Sequence, residues 1–183
     1  MNVFEKISKD VKLSEYFENT ADICFLSEPE EYDGKGMGIK LSIDGKVIGR
    51  SADGCDFLLL SDGTVGYINY EGFAGRIAEN AEDLFSLLLN FPTFAEYLYS
   101  DCFLEENREK VMGEIYMSCY EVMEGWEKSR DKAFEQLNTK AEDVWNITMK
   151  KLYVAAMKEP RFGFIFNGEL SDTLFSDYSP WWL

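Results

Sequence analysis

The middle of this chain most constrains its fold. Between residues 39 and 72, short apolar segments are parted by an acidic residue followed by glycine, at Asp44-Gly45, Asp53-Gly54, Asp62-Gly63 and Glu71-Gly72. Such pairs supply the positive φ of a tight reversal. Ile39, Leu41 and Ile43 alternate with polar residues, Asp44-Gly45 predicts a hairpin turn, and residues 46–50 return along it. Residues 57–60 are an unbroken apolar run, the pattern of a central strand covered on both faces, and residues 65–70 follow it as the next strand. The middle therefore predicts a meander of short antiparallel strands, in which Ser61-Asp62-Gly63-Thr64 is a turn rather than a ligand loop.

Helical spacing frames this meander. Val3, Phe4, Ile7, Val11 and Leu13 predict one or two short amphipathic helices over residues 2–19 that cover a sheet. Residues 23–26 read as a strand, and residues 27–38, acidic first and glycine-rich second, as a loop. Asn80 occupies a helix N-cap, Glu82 and Asp83 fill the first turn, and Ala81, Leu84, Phe85, Leu88 and Leu89 form one stripe, so a helix spans 80–90 and ends at Pro92. Residues 93–99 read as a further short helix. Met112, Ile115, Tyr116, Cys119, Val122, Met123 and Trp126, continued by Ala133, Phe134 and Leu137, predict one long helix, with a break near Gly125 left open. Thr139 and Glu142 have capping-box spacing ahead of a helix that ends before Pro160. Phe162, Phe164 and Phe166 then announce a late strand or hairpin turning at Asn167-Gly168, with Trp181 and Trp182 packing the C-terminus onto the body. The class is α+β: an antiparallel meander sheet of about four to six strands covered by N-terminal and C-terminal helices. We read a single domain, residues 1–100 forming the core and 101–183 a helical extension with the late strand.

Charge and chemistry bound the function. At 183 residues the chain is long enough for one core, a size at which roughly 70% of the unfolded surface is buried. Its 34 acidic residues against 18 basic ones leave a net charge of −16, which repels nucleic acid and attracts basic proteins. The absence of histidine removes Ser-His-Asp and Cys-His catalysis and every His-ligated metal site. Cys24, Cys55, Cys102 and Cys119 show no metal or redox spacing and read as reduced cytoplasmic thiols. No apolar run is long enough to span a bilayer. Residues 33–38 lack the ending and the strand-to-helix context of a phosphate loop, and Asp53, Asp56 and Asp62 do not match an EF-hand, so all three are turn residues bonding their own backbone. No catalytic residue, metal site or cofactor is expected. Two acidic clusters remain as docking edges for a basic partner: Glu28, Glu30, Glu31 and Asp33, and, near residues 101–109, Asp101, Glu105 and Glu106.

Residues 55–90 resemble the second half of the SUKH superfamily. The features that carry it are the apolar strand 57–60, the glycine-containing strand 66–70, the step Gly75-Arg76-Ile77-Ala78, and the helix opening Asn80-Ala81-Glu82-Asp83-Leu84-Phe85 with Leu88. The N-terminal Leu-Pro stretch and Asn-Gly-Gly loop usual in that family are missing, and residues 104–158 lie outside its pattern. The resemblance implies a non-enzymatic domain that binds another protein, an immunity protein occluding a polymorphic toxin, nucleases among them. The alternatives are an adaptor pairing through helices 104–157 and a carboxylate-based enzyme.

Overall fold

The computed structural model describes residues 3–34, 38–98, 104–122 and 125–175, residues 120 and 122 by their backbone. The predicted packing of Trp181 and Trp182 lies outside these residues.

Two short helices open the chain, α1 (Val3–Lys9) and α2 (Val11–Ala21). Asp10 divides them because its carboxylate accepts hydrogen bonds from the Lys12 and Leu13 amides, 3.0 and 3.2 Å away, and so caps the second helix. Strand β1 (Cys24–Glu31) follows, and then β2 (Lys40–Leu41), β3 (Gly45–Arg50), β4 (Asp56–Leu60), β5 (Val65–Ile68) and β6 (Phe73–Ala78). Strands β1, β3, β4, β5 and β6 lie side by side, each antiparallel to the next. The evenly spaced acid-glycine turns produce this order, with Gly54, Gly63 and Gly72 all at positive φ.

Three local predictions are corrected by partners distant in sequence. The acidic stretch after Leu26 is not a loop: β1 continues through Glu31, bulged between Phe25 and Glu30, and sets Glu30 and Glu31 opposite Val47 and Lys46. Pro29 is tolerated because β1 is the sheet's edge. Residues 39–43 do not form a hairpin with β3. Only Lys40 and Leu41 are strand, and they pair with Ile165 and Phe164 of β7 (Phe164–Phe166), which also pairs with β8 (Glu169–Leu170) in a second, three-stranded sheet. The six-stranded sheet is mixed rather than wholly antiparallel, because β9 (Asp172–Thr173) joins β6 in parallel.

Helix α3 (Ala81–Asn90) is capped as predicted, with Asn80 Oδ1 accepting from the Asp83 amide at 2.9 Å. A 3₁₀ turn (Phe94–Tyr97) stands where the short helix was expected. The long helical region divides into α4 (Arg108–Val122) and α5 (Trp126–Leu137), with Gly125 at φ 72° before the second. The Thr139 capping box does not form. Asp143 caps instead, accepting from the Asn146 amide at 2.9 Å, and the chain enters α6 (Met149–Ala156) through a π-helical turn, Val144–Thr148. Glu142 is held elsewhere, its amide donating to Asn90 Oδ1 and its carboxylate 2.8 Å from Lys151.

The covering helices thus come from the start, middle and end of the chain. They bury one face of the large sheet in a core that includes Phe4, Phe17, Phe25, Phe85, Leu88, Trp145 and Leu152. Phe25 is the hub of its aromatic group, with ring centroids 5.3 to 5.9 Å from Phe4, Phe17 and Phe85. The opposite face is not covered by helices: Val47, Leu58, Leu60, Ile68 and Ala74 pack there against Phe162, flanked by Leu41 and Phe164 of the small sheet. Strand β4 feeds both cores, Phe57 into the first and Leu58 and Leu60 into the second, as its apolar run predicts.

Asp62 has a larger role than reversing the chain. Its Oδ1 accepts from the Thr64 amide and hydroxyl, and its Oδ2 from Arg76, 2.7 Å away. Arg76 is 1% exposed and also donates to Thr64 Oγ1 and to the carbonyls of Lys158 and Pro160. Burial pushes the Asp62 carboxyl up, but the hydrogen bonds from Thr64 and Arg76 and the guanidinium charge outweigh it and hold the group at about 2. One buried cation therefore fastens the β4–β5 turn to the chain leaving α6.

Candidate functional site

The two predicted acidic clusters differ in what the fold leaves of their charge. On the edge strand β1, Glu30 lies 2.9 Å from Arg50 and Glu31 lies 3.4 Å from Lys46. Arg50 also reaches Asp56 at 3.2 Å. Burial raises the Asp56 carboxyl, and Arg50 opposes that rise. Glu28 and Asp33 are exposed, with no ion pair among the described residues. Half of this cluster is thus matched by bases on the neighbouring strand, and the groove beside it, about 830 Å³, has mixed sign: Glu31 and Asp44 with Lys40 and Lys46, around Tyr32, Ile39 and Leu41.

In the second cluster Glu105 is committed to structure. Glu105 begins the 3₁₀ turn before α4 (Glu105–Asn107), and its Oε2 accepts from Nε1 of Trp145 at 3.0 Å, satisfying an indole that is otherwise buried. Its other oxygen stands 3.6 Å from Arg108. Glu106 is exposed and makes no ion pair among the described residues. Asp101 lies outside them.

A third acidic region, which sequence reading missed, is the one that converges. A cleft of about 510 Å³ opens at one end of the large sheet, between the end of α2, the β3–β4 and β5–β6 turns, and the chain after α3. Its floor is aromatic: Phe57 and Tyr67 are 5.0 Å apart between ring centroids, Tyr67 and Phe94 5.5 Å, and Phe57 and Phe94 6.4 Å. Its rim holds Asp22, Asp53, Glu71 and Glu96, and among the described residues no lysine or arginine lines it. Asp22 ends α2 in the left-handed region at φ 47° and accepts from the Ala52 amide at 3.3 Å, which ties the α2 end to the β3–β4 turn. Asp53, Glu71 and Glu96 are exposed, and their carboxylates have no hydrogen bond or ion pair among the described residues. Burial raises the Glu96 carboxyl. Tyr70 stands at the mouth, 67% exposed.

Part of this convergence is legible in a meander. Alternate turns fall at the same end of the sheet, so the turn carrying Asp53 and the one carrying Glu71 share an end, and the turn carrying Asp62 lies at the other. That Asp22 and Glu96 reach the same rim depends on how α2 and α3 pack, which no local pattern records.

Of the cysteines, Cys24 is exposed, Cys55 and Cys119 are buried, and all three are free thiols. Burial pushes the Cys119 thiol up to about 11. Cys102 lies outside the described residues. Among the described residues no group of three or more acidic or thiol side chains is placed to hold a metal ion, and no helix is long and apolar enough to cross a membrane. No family model, no curated protein and no solved structure matches this chain.

Proposed function

We propose that this chain is a non-enzymatic binding domain of SUKH type, an immunity protein that acts in the cytoplasm by occupying a basic toxin one to one. The observation that carries this reading is the distribution of charge: a net −16, with four carboxylates rimming one aromatic-floored cleft that has no base in its lining among the described residues. A negative concavity steers a basic partner and raises its association rate, more so at low ionic strength. The same charge repels nucleic acid, so a toxin with a basic substrate groove is a suitable counterpart and a nucleic acid is not. The partly neutralised β1 edge, with Glu28 and Asp33 open, supplies a flanking surface.

The adaptor alternative has as its support Tyr116 and Met117 of α4, adjacent and both about half exposed, and Ile147, Val154 and Met157 along the π-helical turn and α6, also exposed and spaced at helical intervals. The carboxylate-enzyme alternative has the raised Glu96. Its neighbours on the rim are solvent-exposed, which suits a docking surface better than an enclosed acid–base pair.

Co-expression with a basic toxin domain encoded beside this gene tests the reading. Protection of the host and a 1:1 complex on size exclusion are expected, with affinity falling steeply as salt rises. Absence of both protection and a complex would overturn it.

A further inference from the structure

We infer that the cleft is the seat of a basic segment of the protein partner, led by one arginine whose guanidinium lies among the rim carboxylates and against the ring of Tyr70. This rests on the basic-partner reading above and adds where and how the partner is held.

Three independent features point to this occupant. The first is shape: a space of about 510 Å³ at the sheet end is more than a single ion requires and falls within the range of sites that enclose a short organic segment. The second is the wall. The buried Phe57–Tyr67–Phe94 rings give the cleft a rigid aromatic floor, while Tyr70 leaves two thirds of its surface in water at the mouth, where a partner side chain can cover it. The third is charge complementarity. The β1 groove mixes lysines with its acids, whereas among the described residues this cleft has four acids and no base, and three of those carboxylates have no partner.

Arginine fits this combination better than lysine. Its guanidinium is planar and weakly hydrated, stacks on aromatic faces, and presents several N–H donors to more than one carboxylate at once. A metal ion fits poorly, because the acids come from four separate elements around an open space and no trio among the described residues is placed to ligate one.

The test requires no knowledge of the partner. Isotope-labelled protein is titrated with N-acetyl-arginine amide, N-acetyl-lysine amide and the neutral N-acetyl-citrulline amide at low salt, and amide chemical shifts are followed. The arginine amide is expected to shift Asp53, Tyr70, Glu71 and Glu96 saturably, more tightly than the lysine amide, and about tenfold more tightly than the citrulline amide, the loss of a charge-assisted contact being worth about that factor. The triple variant Asp53→Asn/Glu71→Gln/Glu96→Gln and the single variant Tyr70→Ala are expected to weaken it, while Glu28→Gln/Asp33→Asn leaves it unchanged. All these positions are exposed, so the variants stay folded, as their spectra will report. Shifts spread over the whole acidic surface, shifts following the β1 edge, equal binding of the citrulline amide, or equal binding of spermidine or magnesium would each overturn the inference. A complex with the neighbouring toxin that ignores the triple variant would overturn the cleft and leave the function standing. Arginine binding in the cleft with no protein complex would support the cleft chemistry and remove the function.

Discussion

The two faces of the large sheet are held by different forces. The helix-side face is closed by a broad apolar core to which all six helices, α1 to α6, and the π-helical turn contribute. Among the described residues the other face has six buried core residues and depends in addition on Arg76, a buried cation bound to one carboxylate, one hydroxyl and two backbone carbonyls. Apolar burial is non-directional and tolerates adjustment, whereas a buried cation needs every partner in place. The comparison teaches that the segment leaving α6 is latched to the sheet at a few points, Phe162 and the carbonyls bound by Arg76, whereas Leu174 and Phe175 beyond it join the helix-side core.

The difference can be tested from its strongest side. Leu88, wholly buried on the helix side, truncated to alanine is expected to lower global stability by about 4 kcal/mol in urea denaturation, within the range for core leucines, without opening any one segment. Arg76→Met is expected to cost about 3 kcal/mol, because it strands Asp62 and two carbonyls, at the low end for a broken buried pair since Asp62 is 37% exposed. Its mark is local: limited proteolysis within residues 157–175 while α1 to α3 stay protected. If both variants give the same cleavage pattern, the two faces do not differ as described.

Close approach on the latched face gives a smaller effect. A Cβ on Gly66 would stand 2.5 to 2.9 Å from atoms of the Phe162 ring, so Gly66→Ala is expected to cost about 2 kcal/mol by overpacking. Adding Phe162→Leu should recover part of that loss, and a double variant no better than the single would show that the ring is not the obstacle.

The smallest effect is in pH. The Asp62 carboxyl titrates near 2 in the folded protein, below its ordinary value of 3.8, so its contribution is complete above about pH 4 and is lost as pH falls toward 2. After discounting for its exposure this amounts to about 1 kcal/mol. The stability difference between the wild type and Asp62→Asn, measured from pH 6 down to 2, should shrink across that window. A difference constant with pH would mean that the charge of Asp62 does not feed the latch.

What was legible in the sequence were the elements whose signals are local. The acid-glycine turns at Asp53-Gly54, Asp62-Gly63 and Glu71-Gly72, the two-faced run of β4, the Asn80 cap and the Asn167-Gly168 reversal each act within a few residues, and the structure has each of them, whereas Gly45 of the fourth pair opens β3 instead of a turn. Prediction failed where a distant partner decided the outcome. Lys40 and Leu41 look like the first arm of a hairpin with residues 46–50, but their backbone bonds go to β7, far along the chain. The Thr139 box lost to Asp143 because Glu142 was taken by Asn90 and Lys151.

The candidate site divides in the same way. Charge alone announced an acidic protein suited to a basic partner, and runs of neighbouring acids suggested where. Those runs proved half neutralised or committed, Glu30 and Glu31 to bases across β3 and Glu105 to the Trp145 indole. By itself the sequence determined the meander, the helices and the sign of the surface, because turn geometry, hydrophobic period and net charge depend on residues in order. The tertiary structure alone decided which carboxylates stay unpaired and which share a cleft, because a carboxylate's partner is whatever the fold brings within a few ångströms.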